Sequence, residues 1–251
     1  RLIPDKKEGE GDPAEPVYLD DRLMAQPAAA LQLAAKEIVH LALLVGEQLH
    51  LTTGMVRRKE EGQPAAGIEQ REKLKGLGGK ITEYLSGLFS AGVLTEEQAA
   101  QTAGVMYLLG DVERMGELCV DVTLAIEDRD RRKTKYSKEA MKDLEKSLKV
   151  IEDMYGAALQ VLTTGDEESA RKIRKKKEKV LDLNIEMRKG HMDRVSKGKC
   201  ATEMTGPLND ILHAVDRMGN CCVNIADAAL DKVDLNYFNA TGSPEELTAK
   251  E

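Results

Sequence analysis

The sequence predicts an all-α protein built as two tandem three-helix bundles related by internal duplication. Three observations carry that prediction. Apolar residues recur in steps of three and four along most of the 251 residues, which puts them on one face of successive helices. The stretch DVERMGELCVD from position 111 returns 103 residues later as AVDRMGNCCVN from position 214. Composition agrees: 41% of residues are apolar and 32% charged, with no Trp, two Phe and six Tyr. A core so poor in aromatics must be packed by Leu, Ala, Val, Ile and Met in Glu- and Lys-rich helices.

The elements follow in order. A first helix carries the stripe Leu31, Ala34, Ile38, Leu41, Val45 and Leu49, and a second carries Leu74, Leu77, Ile81, Tyr84 and Leu88. The third reads Val105, Leu108, Val112, Met115, Cys119, Val122 and Ile126. The fourth is marked by Met141, Leu144, Leu148, Ile151, Tyr155, Ala158 and Leu162, and the fifth, more weakly, by Val180, Leu183 and Met187. His191 continues that fifth stripe and reads as a satisfied core histidine. The sixth, Leu208, Ile211, Val215, Met218, Cys222, Ile225 and Ala229, is the third helix moved on by 103. No stretch alternates with period two, so strands are not expected.

The breaks fall where two bundles need them. GQPAAG (62–67) follows the charged run VRRKEE, SAGV precedes a capping-box spacing at Thr95 and Gln98, and RDRRKTKYS joins the halves. TTGDEES separates helices four and five, and KGKCATEMTGP leads into helix six. The expected organisation is a linker over 1–26, a first bundle over 27–130, a second over 131–233 and a tail over 234–251. The chain opens on an arginine, which reads as a fragment or a processed piece.

Several function classes are disfavoured. A net charge of −7 argues against a general nucleic-acid binder. The four cysteines, at 119, 200, 221 and 222, form no CxxC pair, so neither a disulfide framework nor a zinc knuckle is expected and a reducing cytoplasm is. No run reaches the roughly 18 uninterrupted apolar residues of a membrane span. With no nucleophile–base constellation and no Gly-rich phosphate loop, the chain does not read as an enzyme. Glu37/His40 and Glu47/His50 have the Glu-xx-His spacing of di-iron bundles, but both lie on helix one, so they read as surface residues. The basic run RKIRKKKEK (171–179) is a solvated helix face that beneath a membrane would also meet anionic headgroups.

The duplicated stretch has two faces. At about 100° per residue, Glu113, Glu117 and Asp121 fall well away from the apolar stripe of helix three. Asp216, Asn220 and Asn224 occupy the same row of helix six, with His213 near it. On one helix such a row is an ordinary solvated face. Its repetition, at a spacing that lets neighbouring carboxylates share a divalent cation, points to metal. Gly116 and Gly219 allow close helix approach, Arg114 and Arg217 are placed to pair with neighbouring carboxylates, and Cys119 and Cys222 read as small buried hydrophobes.

VERMGELCVD and VDRMGNCCVN resemble the signature of PhoU domains, whose third and sixth helices carry an ERIGD-like sequence. MRKGHMDRVSKGKC (187–200), DILHAVDRMGNCCVNIAD (210–227) and the opening EPVYLDDRLMAQPAAALQLAAKEI look like the cytoplasmic PhoU-like tail of bacterial sodium/phosphate cotransporters. The resemblance implies a non-enzymatic regulator of phosphate uptake at the cytoplasmic face of the inner membrane. Its implied partners are the transmembrane portion of its own transporter or a phosphate-transport complex, the inner face of the membrane and further copies of itself. It also implies an iron-type or other divalent metal. The ligands would be Glu113, Glu117 and Asp121 on helix three, Asp216, Asn220 and Asn224 on helix six, and Glu178 with Asp182 on helix five. Asn220 departs from the aspartate of the motif, and helix two offers Glu72 but Gly76 four residues on. A free-standing PhoU-type signalling adaptor and a metal-binding bundle in its own right are the alternatives.

Overall fold

The computed structural model describes residues 15–57, 64–131 and 136–239; the first fourteen residues, residues 58–63 with most of the VRRKEE run and the start of GQPAAG, residues 132–135 of the joining segment and the last twelve residues lie outside them. The chain is all-helical: α1 (Pro27–Arg57), α2 (Pro64–Ser90), α3 (Glu96–Arg131), α4 (Lys138–Thr164), α5 (Glu167–Ser196), α6 (Thr205–Asp231) and a short α7 (Asn236–Asn239). Helices α1, α2 and α3 pack on one another, as do α4, α5 and α6. The two sets meet through α3 against α6 and α1 against α4, so these four helices form the centre and α2 and α5 flank it. One contiguous apolar core runs through both sets.

Every residue of the stripes on α1, α2, α3 and α6 named above is buried. On α4 and α5 only Met141 and Leu183 are partly exposed. Tyr155 ties the halves together: its ring packs against Gly46 and its hydroxyl donates to the Ala42 carbonyl at 2.9 Å. Helix α1 is long and apolar enough to cross a membrane, but more than half of its apolar window is buried inside the fold, as in the core helix of a bundle.

The helix ends are written locally. The Thr95 amide donates to Gln98 Oε1 at 3.0 Å and the Gln98 amide to Thr95 Oγ1 at 3.2 Å, the reciprocal capping box the spacing predicts. Ser137 caps α4 through the Ala140 amide, and Asp166 caps α5 through the Glu168 amide. Gly165, with φ of 70°, closes α4 in the left-handed conformation that glycine adopts without strain. Pro64 opens α2, so the expected GQPAAG loop contributes its last four residues to a helix.

Both presumed tails carry structure where they are described. In 234–239, α7 packs on α1 and α4, Phe238 is wholly buried, and the Asp234 amide donates to Gln101 Oε1 at 2.6 Å. Before α1, the Tyr18 amide donates to Glu37 Oε2 at 2.6 Å and the Tyr84 hydroxyl to the Asp20 carbonyl at 3.1 Å. Glu37 is therefore not a surface residue. It is fully buried, with its other oxygen 2.8 Å from His40 Nδ1. A buried carboxylate needs such partners, because leaving it unpaired costs several kcal/mol. Glu47 and His50 are exposed as expected, and His50 faces Glu152 at 3.3 Å.

Candidate functional site

The acidic row on α3 is not wholly outward, because α2 covers part of it. Glu113 is half-buried, and its carboxylate fills the notch left by Gly78 of α2, where a Cβ would stand 2.0 Å from Oε1. Glu113, Gly116 and Glu117 line a cleft of about 230 Å³ with Leu41 and Val45 of α1 and Arg71, Leu74 and Lys75 of α2. Arg114 Nη1 donates to Glu117 Oε2 at 2.7 Å, the expected pairing with a neighbouring carboxylate. Glu113 has no ion pair among the described residues. Burial first, and the Glu117 charge second, push its carboxyl above the usual glutamate range. Asp121 is exposed.

The row on α6 is neutralised differently. Lys177 of α5 runs across Gly219, where a Cβ would stand 2.6 Å from its Cδ, and its ammonium pairs with Asp216. The residue 103 earlier is Leu74, which lies across Gly116 in the same way with no charge to offer. Asn220 and His213 are exposed. Asn224 turns away from the row and donates to Asp111 Oδ1 at 3.0 Å across the α3–α6 interface. Glu178 and Asp182 are exposed on α5, and the residues 103 before them on α2 are Lys75 and Gly79.

These residues do not fit a metal centre. Among the described residues no three His, Cys, Asp or Glu side chains come together as ligands. A hard cation takes six or more oxygens, whereas these acids are bound to Arg114 and Lys177, or stand alone. Dialysis against a chelator should therefore leave the melting temperature within about 2 °C of the untreated chain. A larger loss, reversed by adding back one divalent metal, would restore the metal reading.

The raised Glu113 carboxyl gives a signed pH prediction. Its folded-state pKa lies above the unfolded value, so the folded state binds more protons and this group's unfavourable contribution fades as pH falls through the glutamate range. Glu113→Gln should stabilise the chain at pH 7 by about 0.2–0.5 kcal/mol, the scale of like charges at i, i+4 on a partly solvated surface. Denaturant titrations at pH 7 and pH 4 should show that gain shrinking at the lower pH.

A second cluster appears where sequence reasoning found no nucleophile–base pair. His191 is buried on α5, as its stripe requires, and its Nε2 lies 2.9 Å from Thr205 Oγ1 at the start of α6. Its Nδ1 lies 3.6 Å from Sγ of Cys200, which is partly exposed in the turn between the helices. Burial and the nearby Arg194 charge hold the imidazole below its usual pKa. The other three cysteines are buried, and burial raises their thiols, Cys221 to about 12.

Two helix triplets, whose signature helices α3 and α6 pack on each other between them, define a protein of PhoU-like fold. Residues 144–229 match the PhoU domain. The fold is similar to that of PhoU from Pseudomonas aeruginosa, with a TM-score of 0.71 and 13% identity over 78% of this chain and 93% of that one. In sequence the chain is similar to "Putative inorganic phosphate export protein YjbB" of Escherichia coli strain K12, 24% identical over 230 residues and 87% of the chain. The protein of the same name from Salmonella typhimurium is 23% identical over 234 residues and 88% of the chain. The chain spans 40% of the length of these curated relatives. They are named for phosphate export, which supports the expectation at its coarser level, a PhoU-like domain with phosphate-related relatives.

Proposed function

We propose that this chain is a non-enzymatic regulatory domain of a membrane phosphate transporter, acting through contact with the transporter's membrane-embedded portion at the cytoplasmic face. The observation that carries this reading is similarity over 87% of the chain to proteins named for phosphate export that are more than twice as long. The segment before α1 supports it. Held by Glu37, Tyr84 and the Lys80–Glu15 ion pair at 2.7 Å, it would pass displacement of an upstream element directly to the core of the first bundle. A sodium-coupled transporter is the narrower form of the proposal, and further copies of the chain are additional partners.

The test is radiolabelled phosphate flux in cells carrying the full-length gene against an in-frame deletion of codons 15–239. Altered flux, with the truncated protein still in the membrane, supports the reading. Identical flux at every phosphate concentration overturns it. The basic half of α5 presents exposed Arg171, Lys175 and Lys179, placed to meet anionic headgroups in that setting. Salt-sensitive binding to anionic liposomes, lost on reversing these charges, tests that contact.

A further inference from the structure

We propose that Cys200 is a thiol-modification site, activated by His191 and suited to thiol–disulfide exchange with a small anionic disulfide of the glutathione type. Three features place the sulfur for that chemistry. Gly198, at φ of 64°, closes α5: its amide donates to the Val195 carbonyl at 3.0 Å and the Lys199 amide to the Arg194 carbonyl at 2.8 Å. That turn folds Cys200 back over the helix end onto His191. Thr205 fixes the other side of the ring, and the tautomer in which Nε2–H donates to Thr205 Oγ1 leaves the Nδ1 lone pair facing the thiol.

Cationic side chains stand around the turn. Arg194 lies close enough to act on the ring and Lys199 adjoins Cys200 in sequence, while the Lys197 ammonium is paired with Asp193 at 2.8 Å, so an approaching anion meets Arg194 and Lys199. The neutral ring presents its Nδ1 to the thiol as the base nearest the sulfur. In the exchange, the Cys200 proton passes to Nδ1 and the thiolate attacks one sulfur of the disulfide. A new S–S bond forms as the old one breaks, and the departing thiolate carries the electron pair and recovers the proton. The other three cysteines do not compete, because they are buried and their thiols are held protonated.

The 251-residue chain is mixed with 4,4′-dithiodipyridine at pH 7, and separately with glutathione disulfide followed by mass spectrometry. One thiol per native chain should react, at least about tenfold faster than a thiol of the guanidinium-unfolded chain. That phase should vanish in Cys200→Ser and slow several-fold in His191→Gln. Thr205→Val, which leaves the ring in place but frees its far side, should slow it less and covers the case in which His191→Gln fails to fold. Glutathione should be found on Cys200 alone. A native rate equal to the unfolded one overturns the proposal, as does an unchanged rate in both the His191 and Thr205 variants. So does an adduct shared with Cys119, Cys221 or Cys222.

Discussion

Phe238→Ala should lower the stability of this chain by about 3–5 kcal/mol, the range for deleting a fully buried aromatic ring. The side chain has no exposed surface and belongs to a helix of only four residues, so local bonds such as the Asn236 amide on Asp234 Oδ1 do not hold α7 against the bundle without it. Its anchor is tertiary: α7 lies on α1 and α4, Val233 is buried beside it, and Leu235 reaches Gly165 at the end of α4. Losing the ring leaves a cavity at the junction of both bundles. Calorimetry should show the midpoint falling by about 10 °C for a chain of this size. A loss below about 1 kcal/mol would mean that the segment does not dock.

Gly104→Ala should also destabilise, by about 1–3 kcal/mol, although alanine is the better helix former. A Cβ at residue 104 would stand 2.1 Å from the Lys232 carbonyl oxygen and 3.0 Å from its carbon. Both are backbone atoms at the end of α6, and Lys232 is held there by its ammonium, 3.3 Å from the centre of the Tyr107 ring. The end of α6 would have to shift, and with it the segment leading to Phe238. Gly78→Ala is the control. Its Cβ would meet only the flexible end of Glu113, at the mouth of a cleft, so the carboxylate can swing aside and the change should stabilise by up to about 1 kcal/mol. Denaturant midpoints of the two variants should move in opposite directions. A double-mutant cycle of Gly104→Ala with Phe238→Ala should show coupling above about 0.5 kcal/mol, because both act on one segment.

What was legible in the sequence was whatever repeats along a helix or sits at its end. The stripes on α1, α2, α3 and α6 required no knowledge of neighbours, because a 3.6-residue period fixes which side of a helix is apolar. Thr95 and Gln98 were equally readable, since a capping box closes within four residues. So was the close-approach role of Gly116 and Gly219. Phe238 was not readable. Four residues of helix show no period, and a Tyr–Phe pair after a charged turn looks the same whether it docks or dangles.

The acidic rows show the boundary most clearly. Periodicity puts Glu113 off the apolar stripe, but the angle around a helix does not say which helix lies over that side. α2 covers it and brings Arg71, Lys75 and a glycine notch to the cleft. α5 brings Lys177 to Asp216, and the α3–α6 crossing gives Asn224 to Asp111, 113 residues away. Glu37 was misread for the same reason: its spacing to His40 is local, but its burial comes from the segment at Tyr18 folding over it.

The sequence by itself determined six main helices, their buried faces, the capping box of α3 and the duplication, because these rest on residues a few positions apart or on direct repetition. Only the tertiary structure decided which charges meet. Pairing depends on helix crossings and on chain ends folding back, and those bring together residues whose separation in sequence carries no periodic signal. The consequences are an acidic row answered by lysine and arginine, a buried Glu37, a seated Phe238, and a cysteine turned onto His191.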